Sequence, residues 1–233
     1  MAVFGFPSSP EIPLTRRNLG FLDQRFALQW VKENIRSFGG DDGKVTLFGE
    51  SAGATSTDAL ITSWPQNPPF RAAILESGQS SLPIISDVGT NSTESWVQLT
   101  AALNCSQAIS KLSCVRYANA TAIQSIIEHG PLIFRPAVDN VTFIHNATAA
   151  RAAHNVANVP IMAGTNGQEG RAFIYGQTNI TAFFQAIPGM TPALQLAITR
   201  AYPIGAFGTT NEFEVLAQIY TDLLVACVCQ YSP

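Results

Sequence analysis

Gly49-Glu50-Ser51-Ala52-Gly53 is a G-x-S-x-G pentapeptide. Its residue types are those of a serine nucleophile on a tight turn from strand to helix. Such a serine performs acyl transfer: its oxygen attacks a carbonyl, an imidazole takes the proton, and a carboxylate orients the imidazole. The glycines suit a sharp turn where side chains would meet neighbouring backbone. The Ala52 N–H, at the start of the following helix, is the candidate donor to the developing oxyanion. With 17 Gly and 17 Ser in 233 residues, composition alone yields about 0.09 such pentapeptides per chain. The motif therefore needs context, and the context is a strand ahead of it and a helix behind it.

The elements that position Ser51 read clearly. "KVTLF", Lys44 to Phe48, is a β-branched and aromatic run of the kind that forms a buried parallel strand. Ahead of it, Leu22, Phe26, Trp30, Val31, Ile35 and Phe38 recur at helical spacing and predict one apolar stripe, stopped by Gly39 and Gly40. "RAAILES" (71 to 77) and "VPIMAGT" (159 to 165) read as two further buried strands. Strands alternating with helices predict an α/β chain whose parallel sheet is wound with helices. The expected organisation is a sheet core over 1–80, a helical insertion over 81–135, a strand and loop over 136–176, and a helical part over 177–233.

"NLGFLDQRFALQWVKENIRSFGGDDGKVTLFGESAGA" closely resembles the signature region of the type-B carboxylesterases, the family of cholinesterases and fungal secreted lipases. The likeness continues through "FRAAILESGQ", "FRPAVDN" and "VPIMAGTNGQEGRAF", in family order. It implies the α/β-hydrolase fold and, for the family, hydrolysis of carboxylic esters through an acyl-enzyme. Carried over by position, Ser51 is the nucleophile, the Ala52 N–H an oxyanion donor and Glu169, in "GTNGQEG", the triad carboxylate. Asp42 stands where the family often has proline.

The family pattern then demands a histidine after the acid. The three histidines, His129, His145 and His154, all precede Glu169, and residues 170–233 contain none. His129 and His145 sit in loop-like contexts and His154 on a short helix, each most simply a surface or structural residue. The family's glycine-rich oxyanion loop is not found upstream of Ser51 either. The resemblance implies somewhat under half of a family domain, missing both ends, and a chain inactive as written. The alternative is a non-catalytic, carboxylesterase-like binding or adhesion protein, or a pseudogene product. Strands and a helix stripe without their partners would leave apolar surface open to solvent.

Composition narrows the partners. A net charge of −3 with scattered Lys and Arg gives no face for nucleic acid, and no apolar run approaches a membrane span. The expected partner is a small-molecule or lipid ester. Neither a cofactor nor a metal is implied, since the cysteines lack a ligand set. N-x-[ST] sequons at Asn91, Asn104, Asn119, Asn140, Asn146 and Asn179 exceed the roughly two that composition yields. They predict a secreted glycoprotein, although "MAVFGFPSSP" lacks the basic region of a signal peptide. Cys105 and Cys114, nine residues apart, suit a local disulfide, and the family has a short disulfide loop at this position. Cys227 and Cys229 are too close to pair without strain, and their pairing stays open.

Overall fold

The structure, a computed structural model, describes residues 2–79, 91–187 and 189–226. Cys227, Cys229 and residues 81–90 of the expected insertion lie outside the described residues.

Three strands, β1 (Thr46–Glu50), β2 (Ala72–Glu76) and β3 (Ile161–Gly164), pair in parallel in the order β1-β2-β3. They fall on the three runs read as strands, with β1 shifted two residues from Lys44–Phe48 because Lys44 closes a 3₁₀ turn over Asp42–Lys44. Phe48 lies beside Ile74, and Ile74 beside Met162. Parallel neighbours need a crossover. The helix α3 (Ala52–Ser63) lies in the first connection, preceded in the chain by α1 (Ala2–Gly5) and α2 (Leu19–Asn34). Between β2 and β3 come α4 (Asn91–Ala102), α5 (Lys111–Tyr117), α6 (Ala120–His129) and α7 (Ala147–Ala152). After β3 follow α8 (Gly170–Phe173), α9 (Ile180–Gln185), α10 (Pro192–Ala201) and α11 (Glu212–Tyr220).

The sheet has one covered face. Ala54, Leu60 and Ile61 of α3 pack with Ala73, Leu75 and Leu28 into a buried cluster. The opposite face carries Phe48 and Met162, 68% and 66% exposed. Strands expected to be buried on both sides are therefore covered on one only in β1 and β2, because side chains alternate along a strand and α3 packs on one face, while all four residues of β3 are exposed among the described residues.

The apolar stripe of α2 also differs from expectation. Phe26, Trp30 and Phe38 are exposed, and Leu22, Val31 and Ile35 are only half-buried. The fully buried side chains are Phe21 and Leu28. Nine residues separate Phe21 from Trp30, two and a half turns at 3.6 residues each, which puts them on opposite sides of the helix. Phe21 packs between Phe6 and Phe143, while Trp30 meets Phe38 outside, ring centroids 5.9 Å apart. A 3₁₀ turn over Ile35–Phe38 continues from α2 and ends at Gly39, whose φ of 81° is the left-handed end expected there.

Two buried polar links tie distant segments together. Asn18, fully buried ahead of α2, donates through Nδ2 to Ala137 O (2.7 Å) and Thr142 Oγ1 (2.8 Å), and its Oδ1 accepts from Ala137 N (2.7 Å). Asp139 Oδ1 accepts from the N–H groups of Val141, Thr142 and Phe143, and Oδ2 from the Thr142 hydroxyl. Asp58 of α3 is paired with Arg151 of α7, side chains 1% and 7% exposed.

The helical region of 91–129 closes around Trp96, Leu99 and Cys105. Cys105 and Cys114 are disulfide-bonded, with Cα atoms 5.7 Å apart. A separate cluster of Phe184, Leu216 and Ile219 joins α9 to α11.

Candidate active site

Ser51 stands alone between β1 and α3 with φ 53° and ψ −117°. A non-glycine residue in this region carries about 1–3 kcal/mol of strain. Two contacts show what holds it. The Ser51 N–H donates to Glu76 O at 2.8 Å, so the turn is pinned to the end of β2. Gly78 then lies directly beneath: a Cβ there would overlap the Ser51 carbonyl oxygen and come within 3.1 Å of Ala54 Cβ.

Gly49 has an equally specific reason. A Cβ on it would lie 2.6 Å from the Ala54 nitrogen and closer still to the Gly53 carbonyl. The strand end and the first helical turn touch backbone to backbone. Gly53 differs: nothing lies within 4 Å of its Cβ position. Crowding thus explains the first glycine of the motif and not the second.

The Ser51 side chain is exposed and makes no hydrogen bond among the described residues. Ala52 opens α3, where the first N–H groups have no intrahelical acceptor. That leaves its N–H free for an oxygen bound beside Ser51.

The neighbouring strand ends carry the rest. β2 runs into Ser77, which also has positive φ (55°), and its N–H donates to Gly164 O at 2.8 Å. The Ser77 hydroxyl donates to Glu169 Oε1, in the loop that follows β3. The same oxygen accepts from Asn166 N (2.9 Å) and Asn166 Nδ2 (3.1 Å). Glu169 is half-buried. Behind it, Gly170 N donates to Thr221 Oγ1 at 2.9 Å, locking the acid loop to the end of α11. Burial first, and the Glu169 charge second, push the Tyr220 phenol up.

Ser51 and Glu169 are thus linked through backbone and Ser77 to one edge of the sheet, where all three strands end. The second oxygen of Glu169 has no partner among the described residues. Ser77 and Asn166 were not singled out by sequence; the available signal was polar residues directly after the strands, in "ESG" and "GTN".

The histidines lie elsewhere. His129 is the last residue of α6, not in a loop, and its Nδ1 lies 2.9 Å from Ser125 O. His154 lies beyond the end of α7 with φ 53°, not within the helix. His145 N donates to Asn140 Oδ1 at 3.0 Å. None of the three hydrogen-bonds Ser51 or Glu169 among the described residues. In the same residues no group of three or more His, Cys, Asp or Glu is placed to hold a metal ion, and no helix is long and apolar enough to cross a membrane.

Of the expected glycosylation sites, Asn119, Asn146 and Asn179 cap α6, α7 and α9 through Oδ1. Asn104 and Asn140 sit at positive φ. The Asn91 side chain lies outside the described residues.

Residues 1–191 match the profile described as "Carboxylesterase family". Chlorogenic acid esterase of Aspergillus niger is 37% identical over 169 residues, covering 70% of this chain and 32% of that protein. Lipase 2 of Diutina rugosa is 33% identical over 202 residues, 80% of this chain and 37% of the lipase. Acetylcholinesterase of Bungarus fasciatus is 32% identical over 207 residues, 84% and 32%. Among solved structures, that of EstA from Aspergillus niger superposes with a TM-score of 0.81 at 26% identity, over 99% of this chain and 48% of EstA. The chain spans about a third of the length of the curated relatives it matches.

Proposed function

From the premise that this chain belongs to the carboxylesterase family and carries an α/β-hydrolase fold, we propose that it is the nucleophile-bearing part of a secreted serine ester hydrolase. The observation that carries the reading is Ser51: a strained, exposed serine at a strand end, backed by Gly49 and Gly78, with Glu169 tied to the neighbouring strand end by Ser77.

In this reading the Ser51 oxygen attacks the carbonyl of a carboxylic ester. Ala52 N–H donates to the resulting oxyanion. The alcohol leaves with the proton taken from Ser51, and water then cleaves the acyl-enzyme. Glu169 orients the imidazole that carries the proton and stabilises its charged form. Ser77 and Asn166 hold one Glu169 oxygen and leave the other for that imidazole. None of the three histidines in the chain follows Glu169, so these 233 residues by themselves are proposed to lack turnover. The family context favours ester substrates, and the names "Secreted lipase 5" and "Lipase 2" among the relatives favour secretion and lipid-like esters. The sequons are proposed glycan sites on the same ground.

The test uses a product of the same locus that carries a histidine downstream of Glu169, assayed with p-nitrophenyl butyrate. Ser51→Ala is expected to reduce turnover by on the order of 10⁴-fold or more, and the 233-residue chain to show no Ser51-dependent hydrolysis. Turnover in the longer product that survives Ser51→Ala refutes the assignment, and a longer product without any turnover returns the non-catalytic binding reading.

A further inference from the structure

Away from the sheet edge, a cavity of about 650 Å³ opens between the N-terminal segment and helices α5 and α6. That size is ordinary for a small-molecule site. None of the residues around Ser51 and Glu169 contributes to it. Its wall is apolar, built from Val3, Phe4, Leu19, Trp96, Val115 and Ile123 among others. Trp96 is 2% exposed and its indole N–H has no acceptor among the described residues.

Three charged residues line the same cavity: Glu11, Arg16 and Arg116. Glu11 is committed to the protein. Its carboxylate accepts from Ser110 Oγ (2.5 Å) and Leu112 N (2.9 Å), and these bonds, the Ser110 hydroxyl foremost, hold its carboxyl below the usual range. Arg16 and Arg116 are exposed, and neither side chain makes a hydrogen bond or ion pair among the described residues. The cavity therefore joins an apolar interior to two uncommitted guanidinium groups and a net positive charge.

We propose that this cavity binds a free medium-chain fatty-acid anion, its carboxylate taken by Arg16 and Arg116 and its chain laid along Phe4, Leu19, Val115 and Ile123. The guanidinium fork matches the two oxygens of a carboxylate, and the chain removes apolar wall from water. Binding here needs no catalysis at Ser51, so it stands or falls independently of the ester-hydrolase reading.

The test titrates the 233-residue chain, below the micellar range, with decanoate, decanol and butyrate, following calorimetry and tryptophan fluorescence. Decanoate is expected to bind at least about tenfold tighter than decanol, which lacks the charge, and butyrate, which lacks the chain, to bind weakest. Replacing both arginines, R16Q with R116Q, weakens decanoate by at least about tenfold, and R16K with R116K weakens it less, since charge without the fork remains. Ala120→Phe, which fills the wall from α6, also weakens it. Decanol binding as tightly as decanoate, or decanoate binding unchanged in the R16Q/R116Q chain, overturns the proposal. The ligand series needs no variant, and near-UV dichroism verifies the fold of each substituted chain.

Discussion

Replacing each glycine of the G-x-S-x-G turn by alanine separates two roles that the motif merges. In Gly49→Ala the new Cβ starts 2.6 Å from the Ala54 nitrogen, and the other two nearest atoms are the carbonyl group of Gly53. Non-bonded heavy atoms settle near 3.5 Å, so the first turn of α3 must retreat by roughly 1 Å. All three obstructing atoms are backbone and cannot rotate aside. Overpacking costs about 1–3 kcal/mol, and this geometry belongs at the upper end. For a chain of this length about 3 kcal/mol corresponds to a fall of roughly 6–12 °C in Tm. Gly53→Ala is expected to do the opposite. Its Cβ meets nothing within 4 Å, and it lies inside α3, where alanine is better than glycine by about 0.5–1 kcal/mol. Thermal unfolding of the two variants beside the parent chain, all made through an oxidising compartment, reads the contrast directly. A Gly53→Ala loss as large as that of Gly49→Ala refutes the reasoning, as does a Gly49→Ala chain with unchanged Tm.

Burial pushes the Asp139 carboxyl up, but the N–H groups of Phe143, Val141 and Thr142 and the Thr142 hydroxyl outweigh it and hold the carboxyl below the usual range. Its contribution is therefore complete above the unfolded value near pH 4 and lost as pH falls through the folded one; Asp139→Asn should destabilise the chain at pH 7 by about 2 kcal/mol, with the gap closing in urea titrations below about pH 4. Removing Asp58 alone leaves Arg151 buried without this partner and should cost about 3–5 kcal/mol, whereas replacing both by apolar residues of similar size restores most of it, a double-mutant cycle in urea being the measurement. For the sequons, secreted chain treated with an N-glycosidase should lose mass at Asn119, Asn146 and Asn179. There, Asn179→Asp should remove the glycan while keeping the cap, and Asn179→Ala should lose about 1 kcal/mol more.

The strands were legible because short β-branched and aromatic runs next to helical patterns leave little else for "KVTLF", "RAAILES" and "VPIMAGT" to form. What periodicity did not reveal was the covered side. Along α2, apolar residues occur on both sides, Phe21 and Leu28 on one and Phe26 and Trp30 on the other, and only the packing partner decides between them. Ser51 was singled out through its glycines and Glu169 through family likeness, and the structure ties both to the same sheet edge. Ser77 and Asn166 were not, because a residue that orients a carboxylate from a neighbouring strand end has no fixed spacing to it: Ser77 and Glu169 are 92 positions apart. The sequons carry a second message that composition conceals. Asparagine is a favoured N-cap residue, and each Asn-x-Thr at 119, 146 and 179 begins a helix. Helix starts thus contribute to the excess of sequons. The capping bond uses Oδ1, which leaves Nδ2, the atom a glycan takes, uncommitted.

The positive φ of Ser51 has a consequence on the scale of lineages rather than molecules. Glycine at that position would release about 1–3 kcal/mol of backbone strain, against an entropic cost of about 0.5–1 kcal/mol, so on the proposed reading the variant that lacks the nucleophile is the less strained one. Selection on stability and selection on chemistry pull this one site in opposite directions. In a lineage that no longer needs ester hydrolysis, drift runs downhill from serine to glycine, and every generation that retains the serine does so against that slope. If Ser51 is the nucleophile proposed above, the residue at position 51 can be followed across descendants as a gauge of when the demand for catalysis ended.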